Sequence, residues 1–168
     1  MQILETSRLT LRYITVRDAE ALIPILGDVE VMRYSIIGVH DQKQIRRFIE
    51  QRLMSYLELG FGLYALVYKQ NQEFIGYCGF FIQSIEKQRE VEIGYRLAKK
   101  YWGQGLATEA AQAVLEYGQQ RFNFRRFVCL IDPENIRSVK VATKLGMKQE
   151  KSLVYHGLNV AMYSLDFY

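Results

Sequence analysis

Glu90-Val91-Glu92-Ile93-Gly94-Tyr95-Arg96-Leu97 is separated by only three residues from Tyr101-Trp102-Gly103-Gln104-Gly105-Leu106-Ala107-Thr108-Glu109-Ala110, and the reading of these two runs decides the fold. The first run alternates as a strand does. It places Glu90, Glu92, Gly94 and Arg96 on one face and Val91, Ile93, Tyr95 and Leu97 on the other, so two acids share a face. The second run sets two glycines ahead of a helical stripe made by Ala107, Ala110, Ala111, Val114, Leu115, Gly118 and Phe122. Phe127-Val128-Cys129-Leu130-Ile131 is apolar throughout, as expected of a strand covered on both faces. Strand, glycine turn, helix and strand in this order read as a right-handed parallel crossover.

Upstream, Arg8 to Ile14 alternates polar with apolar residues and reads as the strand that opens the fold. Asp18 precedes a short helix from Ala19 to Leu26. Asp41 caps a second helix through Ile45, Phe48, Ile49, Leu53 and Tyr56, which Gly60 and Gly62 end. Leu63 to Tyr68 and Phe74 to Ile82 form a hairpin across Lys69 to Glu73. Downstream, Asn135 caps a last helix through Val139, Ala142 and Leu145, and Gly146 closes it in the left-handed region. Met147 to Tyr155 and Val160 to Tyr168 then pair across His156 to Asn159. The order is β-α-α-β-β-β-α-β-α-β-β, an α+β arrangement in one domain spanning residues 1–168.

Composition bounds the function. A chain of 168 residues buries roughly 70% of its unfolded surface without a metal or disulfide. The hydrophobic share of 49%, with 24% charged and 2 Pro, is that of an ordered globular protein. The net charge of +4 admits an anionic ligand without calling for nucleic acid. No basic leader followed by an apolar run begins the chain, and no window reaches the roughly 18 apolar residues of a membrane span, which points to the cytoplasm and no membrane partner. Cys78 and Cys129 sit in apolar runs far from His40 and His156, so they read as buried reduced thiols, and no metal site is expected.

Two glycines at the start of a helix can offer free backbone N–H groups and the positive end of the helix dipole to an anion such as a diphosphate, although such glycines more often serve turn geometry. The run lacks the Gly-Lys-Ser/Thr ending of nucleotide-triphosphate loops and the third glycine of dinucleotide turns. Set beside Glu92-Ile93-Gly94-Tyr95-Arg96-Leu97, Asn135-Ile136-Arg137-Ser138, Lys144-Leu145-Gly146-Met147 and the opening Thr6-Ser7-Arg8-Leu9-Thr10-Leu11-Arg12, however, it closely resembles the GNAT superfamily of acyl-CoA N-acyltransferases. Within that superfamily the sequence is similar to the ribosomal-protein N-terminal acetyltransferase (RimJ/RimL-like) branch over nearly the whole chain.

The resemblance implies a three-layer α/β/α fold with a mixed, mostly antiparallel sheet, helices on both faces, and fourth and fifth strands that splay to admit acetyl-CoA. Carried onto matching positions, Tyr95, Arg96 and Leu97 meet the pantetheine through backbone groups, and Asn135 bonds its amide. Gly103, Gly105, Leu106, Ala107 and Thr108 hold the pyrophosphate, with Trp102 and Gln104 in the same turn and Lys144 at the basic end that suits the phosphates. Many relatives carry Gln or Arg where this chain has Trp102, and a Tyr that protonates the departing thiolate where it has Ala142. Trp102 is a familiar variant in the N-terminal acetyltransferase branch, and Ser138 is the substitute donor.

Transfer to nitrogen requires a neutral amine, a polarised thioester and an exit for the thiolate. Glu92 is the candidate base, the bland alternative being a carboxylate paired with Arg or Lys; Glu90 lies two residues nearer the rim. Ser138 could equally cap or back-bond within its helix. An α-amine with pKa near 8 costs roughly 1.4 kcal/mol to present neutral at pH 7, against about 4.6 kcal/mol for a lysine amine near 10.4, so a weak base suits a peptide N-terminus. Small amines such as polyamines, amino sugars and amino acids stay open as acceptors, and Tyr34, Tyr64, Tyr77 and Tyr155 could line their pocket. The assembly is expected to be a monomer or homodimer. A non-catalytic acyl-CoA sensor is the competing reading, and a nucleic-acid module ranks last.

Overall fold

A computed structural model describes all residues, 1–168. Eight strands form one sheet in the order β1-β2-β3-β4-β5-β6-β8-β7. They are β1 (Gln2–Glu5), β2 (Leu9–Tyr13), β3 (Leu63–Tyr68), β4 (Phe74–Ile85), β5 (Gln88–Leu97), β6 (Arg126–Ile131), β7 (Lys148–Tyr155) and β8 (Leu158–Asp166). Every neighbouring pair is antiparallel except β5 with β6. Four helices pack on the sheet: α1 (Ala19–Leu26), α2 (Gln42–Leu59), α3 (Leu106–Phe122) and α4 (Ile136–Lys144).

Strand alternation sorts the sheet into two cores. On one face Leu63 and Ala65 of β3 meet Leu22 and Leu26 of α1 and Ile45 and Ile49 of α2. On the other, Tyr64 and Leu66 meet Ala110, Ala111 and Val114 of α3 and Ala142 of α4. The three-layer α/β/α architecture follows, with mostly antiparallel strands as expected.

The boundaries differ from the sequence reading in three places. Arg8 to Ile14 does not open the fold, because Gln2–Glu5 adds an edge strand before it. With four residues and an irregular register between Gln2 and Leu4, that strand carries too little alternation to be read. Strands counted as fourth and fifth are therefore β5 and β6. The β4 strand continues to Ile85, where Glu86 and Lys87 at positive φ turn it into β5. The closing hairpin is likewise tighter than expected, since His156 and Gly157, at φ 47° and 78°, form a two-residue turn whose twist suits antiparallel strands.

The helix ends follow their local chemistry. Asp41 accepts from the Gln44 N–H at 2.8 Å while the Gln44 side chain accepts from the Asp41 N–H, a reciprocal cap. Asp18 does not cap α1 by its side chain; its carboxylate takes the Thr15 N–H at 2.8 Å and the Arg12 guanidinium at 2.7 Å. Cys78 and Cys129 are free and buried.

Phe80 is the aromatic hub where α3 meets the sheet. Its ring lies 5.8 Å from Phe61, 5.4 Å from Phe124 and 6.3 Å from Phe127, with Phe122 and Tyr64 adjoining. Gly118 lets α3 approach it, because a Cβ there would stand 2.8 Å from the ring. Phe80→Ala is expected to cost about 3–5 kcal/mol in a denaturant titration, a cavity that surrounding rigid rings cannot close. A loss below about 1 kcal/mol would mean that this cluster does not anchor α3.

Candidate active site

A cleft of about 590 Å³ opens where β5 and β6 part. Their parallel pairing comes down to one register, Glu92 with Val128. Beyond it, the groups that would extend the ladder are taken up by side chains. Leu130 N–H donates to the Glu92 carboxylate at 3.2 Å, Cys129 S–H donates to Ile93 O at 3.3 Å, and the Trp102 indole N–H donates to Leu97 O at 3.0 Å. Ala98 N–H, by contrast, bonds Ile75 O on the β4 side. Strand alternation therefore turns the peptide groups of Tyr95 into the gap, and those of Arg96 toward β4.

The glycine turn forms the adjoining wall. Gly103 and Gly105 stand at φ 73° and 76°, the left-handed region that glycine adopts without strain. After Trp102, whose N–H bonds Lys99 O, the next backbone N–H to find an acceptor in the protein is that of Glu109, on Gly105 O. The six N–H groups from Gly103 to Thr108 are thus free at the start of a 17-residue helix. The turn is pinned from outside. Glu109 accepts from the Thr6 hydroxyl at 2.6 Å and from the Arg8 N–H and guanidinium at 2.9 and 2.7 Å, while Arg8 also donates to Gln104 O at 2.8 Å.

From the opposite wall, α4 brings Asn135, Arg137, Ser138 and Lys144 to the cleft. Asn135 caps the helix, its Oδ1 accepting the Ser138 N–H at 3.3 Å. Ser138 O accepts from the Tyr95 hydroxyl at 3.1 Å, and burial raises the Tyr95 pKa, which keeps that phenol a donor. Arg137 stacks on the Trp102 ring, 4.3 Å from guanidinium carbon to ring centroid. Arg137 was not among the expected site residues. An exposed arginine in a helix's first turn carries no signal until the fold sets it over the tryptophan.

The two acids of β5 part company. Glu90 is held by Arg126 at 3.1 Å, the same guanidinium that binds Glu150 and Asp166, so it has the structural role of a paired carboxylate. Glu92 has no cationic partner. Its carboxylate opens on the cleft, takes the Gln83 amide at 2.8 Å and the Leu130 N–H, and Gln83 in turn accepts from the Tyr155 hydroxyl at 2.7 Å. Burial pushes the Glu92 carboxyl up to about 7, against those two hydrogen bonds. Of the four tyrosines considered for an acceptor pocket, Tyr34 and Tyr77 line the cleft, Tyr155 acts through Gln83, and Tyr64 lies wholly in the core. Ala142, also fully buried, lies away from the cleft lining.

Residues 8–148 match the family model of the acetyltransferase (GNAT) domain. The chain belongs to that family. It is 37% identical over 166 residues to the uncharacterised protein YkkB of Bacillus subtilis, covering 98% of this chain and 96% of that one. Among solved structures, a GNAT-family acetyltransferase from Bacillus anthracis superposes with a TM-score of 0.83 at 27% identity, over 99% and 98% of the two chains. The ribosomal L7/L12 alpha-N-protein acetyltransferase, solved in complex with coenzyme A, shares the fold with a TM-score of 0.83 at 24% identity, over 99% and 98%. This GNAT protein is accordingly an acetyltransferase, a class that uses acetyl-CoA.

Because the raised carboxyl of Glu92 holds its proton more tightly in the folded than in the unfolded chain, its contribution favours folding fully below its unfolded pKa of about 4.3. That contribution is lost as pH rises through about 7. Glu92→Gln should therefore melt above the wild type at pH 8, with the gap closing by pH 5. Equal gaps at the two pH values would show that the carboxyl does not titrate between them.

Proposed function

We propose that residues 1–168 act as one N-acetyltransferase domain that passes an acetyl group from acetyl-CoA to a primary amine. The observation that carries this reading is the row of six free N–H groups from Gly103 to Thr108, in a turn whose residues, Gln104 apart, line a cleft with the unpaired Tyr95 segment of β5 on its other edge. That donor set fits a diphosphate joined to an extended arm. On this reading Gly103, Gln104, Gly105, Leu106, Ala107 and Thr108 hold the pyrophosphate, flanked by Trp102 and Arg137. The peptide groups of Tyr95 and the Asn135 side chain receive the pantetheine, those of Arg96 being turned to β4 and Leu97 O being taken by Trp102, and Lys144 lies toward the phosphates.

Acetyl-CoA supplies an activated thioester; the chain's own groups supply proton management and exclusion of water. Glu92 takes the proton from the acceptor ammonium, directly or through one water. A carboxylate with pKa about 7 is matched to this task near neutral pH. It suffices for an α-amine of pKa near 8 better than for a lysine, and this favours a protein or peptide N-terminus or a small amine of similar basicity. Ser138, whose hydroxyl makes no hydrogen bond within the protein, donates toward the departing thiolate.

Purified protein mixed with acetyl-CoA and a panel of amines should release free thiol, and CoA should raise its Tm. In the wild type, kcat/KM is expected to climb with pH and level off above about 7, as Glu92 deprotonates. Glu92→Gln should lower kcat about 100-fold or more, flatten that limb, and leave the KM for acetyl-CoA unchanged. A Tm shift with CoA but no turnover of any amine would instead mark a non-catalytic acyl-CoA binder.

A further inference from the structure

The acceptor half of the cleft carries a feature that the acetylation reading leaves unused. Glu92, Gly94 and Arg96 lie in line on one face of β5, the face turned toward α1 and α2. The Phe81 ring lies directly over Gly94, where a Cβ would come within 2.3 Å of the ring. Beyond it, the Arg96 guanidinium rests against the Sδ of buried Met32. No carboxylate pairs with Arg96: the chain's nine ion pairs use Arg8, Arg12, Lys69, Lys99, Lys100, Arg126 and Lys151. Arg33, also on the cleft, is likewise free of an acid, and Glu30 at that rim is already held by Lys99 at 2.7 Å. A third guanidinium without an acid, Arg52 of α2, stacks behind Phe81 at 5.4 Å.

These cations stand apart from the donor site. The glycine turn opens α3 on the opposite face of the sheet, where Arg137, Lys140 and Lys144 already supply positive charge to the cleft. A half-buried guanidinium with no acid partner seeks one, and its planar fork suits a carboxylate. Resting on the acetylation reading, we propose that the acceptor is a primary amine that also carries a carboxylate, the anion held by Arg96 while the amine faces Glu92 across Phe81. The two β5 residues are four apart, a rise of about 13 Å, which sets the scale for the separation of amine and anion. An extended linker, peptide or aliphatic, would lie on the Phe81 ring. A polyamine would bring its second cation to Arg96 and Arg33 and is disfavoured.

The experiment compares amines that differ only in the anion, with free-thiol release from acetyl-CoA as the readout. Dipeptides and ω-amino acids are set against their own carboxamides, and N-terminal peptides with an acidic second or third residue against their amide counterparts, with spermidine alongside. The first set separates a small amino-acid acceptor from a longer peptide. The expected result is that carboxylate acceptors exceed their carboxamides in kcat/KM by at least about 10-fold, mainly through KM, with spermidine poorer still. Arg96→Gln should erase the difference while leaving the KM for acetyl-CoA as it was, and Arg96→Lys should restore part of it. Carboxamides or spermidine turning over as well as carboxylates would overturn the proposal and leave acetylation standing, and this comparison needs no variant. A raised KM for acetyl-CoA in Arg96→Gln, with the carboxylate preference intact, would assign Arg96 to the donor instead. No turnover of any amine, with CoA still bound, would remove the acetylation reading and this one together.

Discussion

The site depends on how two parallel strands are allowed to part. Parallel ladders persist because each buried N–H and C=O needs a partner, and leaving one unmade costs about 1–3 kcal/mol. Here β5 and β6 share one register at Glu92 and Val128 and then diverge, with side chains standing in for the missing rungs. Glu92 takes the Leu130 N–H, Cys129 takes Ile93 O, and Trp102 takes Leu97 O. Glu92 therefore serves twice, as the wedge that satisfies β6 and as the ionisable group of the cleft. The burial that makes it a good wedge also lifts its pKa to about 7.

The glycine turn is held by a different logic. With left-handed backbone at Gly103 and Gly105, the N–H groups of residues 103–108 have no acceptor in the protein, but a turn free to move would not hold them in place. Glu109, in the first turn of α3, gathers Thr6 and Arg8 from the loop between β1 and β2, and Arg8 reaches on to Gln104 O. A contact between residues a hundred positions apart thus fixes a row of free backbone N–H groups. Trp102 links the two walls, since its indole N–H closes β5 while its face carries Arg137 of α4.

On the proposed function, the donor and acceptor halves differ in what builds them. The donor half uses main-chain groups, which any sequence with the right turn supplies. The acceptor half uses side chains on the α1–α2 face, and there the balance of charge is informative: Arg33, Arg52 and Arg96 have no acid, and Glu30 is already neutralised. With Glu92 and Asp132 as the carboxylates of the cleft that have no cation, these guanidiniums set a mixed charge that favours a different amine than a wholly acidic pocket would.

The sequence by itself determined the order of the long elements, the strand–glycine–helix unit and the family, because periodicity and turn residues act over a few neighbours and need no tertiary partner. It also pointed to Glu92 and the glycine turn, and left Glu92 and Glu90 as two acids on one face. The tertiary structure supplied the physical ground for preferring Glu92, by bringing Arg126, thirty-six residues from Glu90, against one and only amides against the other. The four-residue β1, the stacking of Arg137 on Trp102 and the unpaired Arg96 were likewise illegible in the chain. Each is defined by what lies across the sheet or the cleft, and pairing, burial and the lack of a counter-charge are properties of position in space rather than of local pattern.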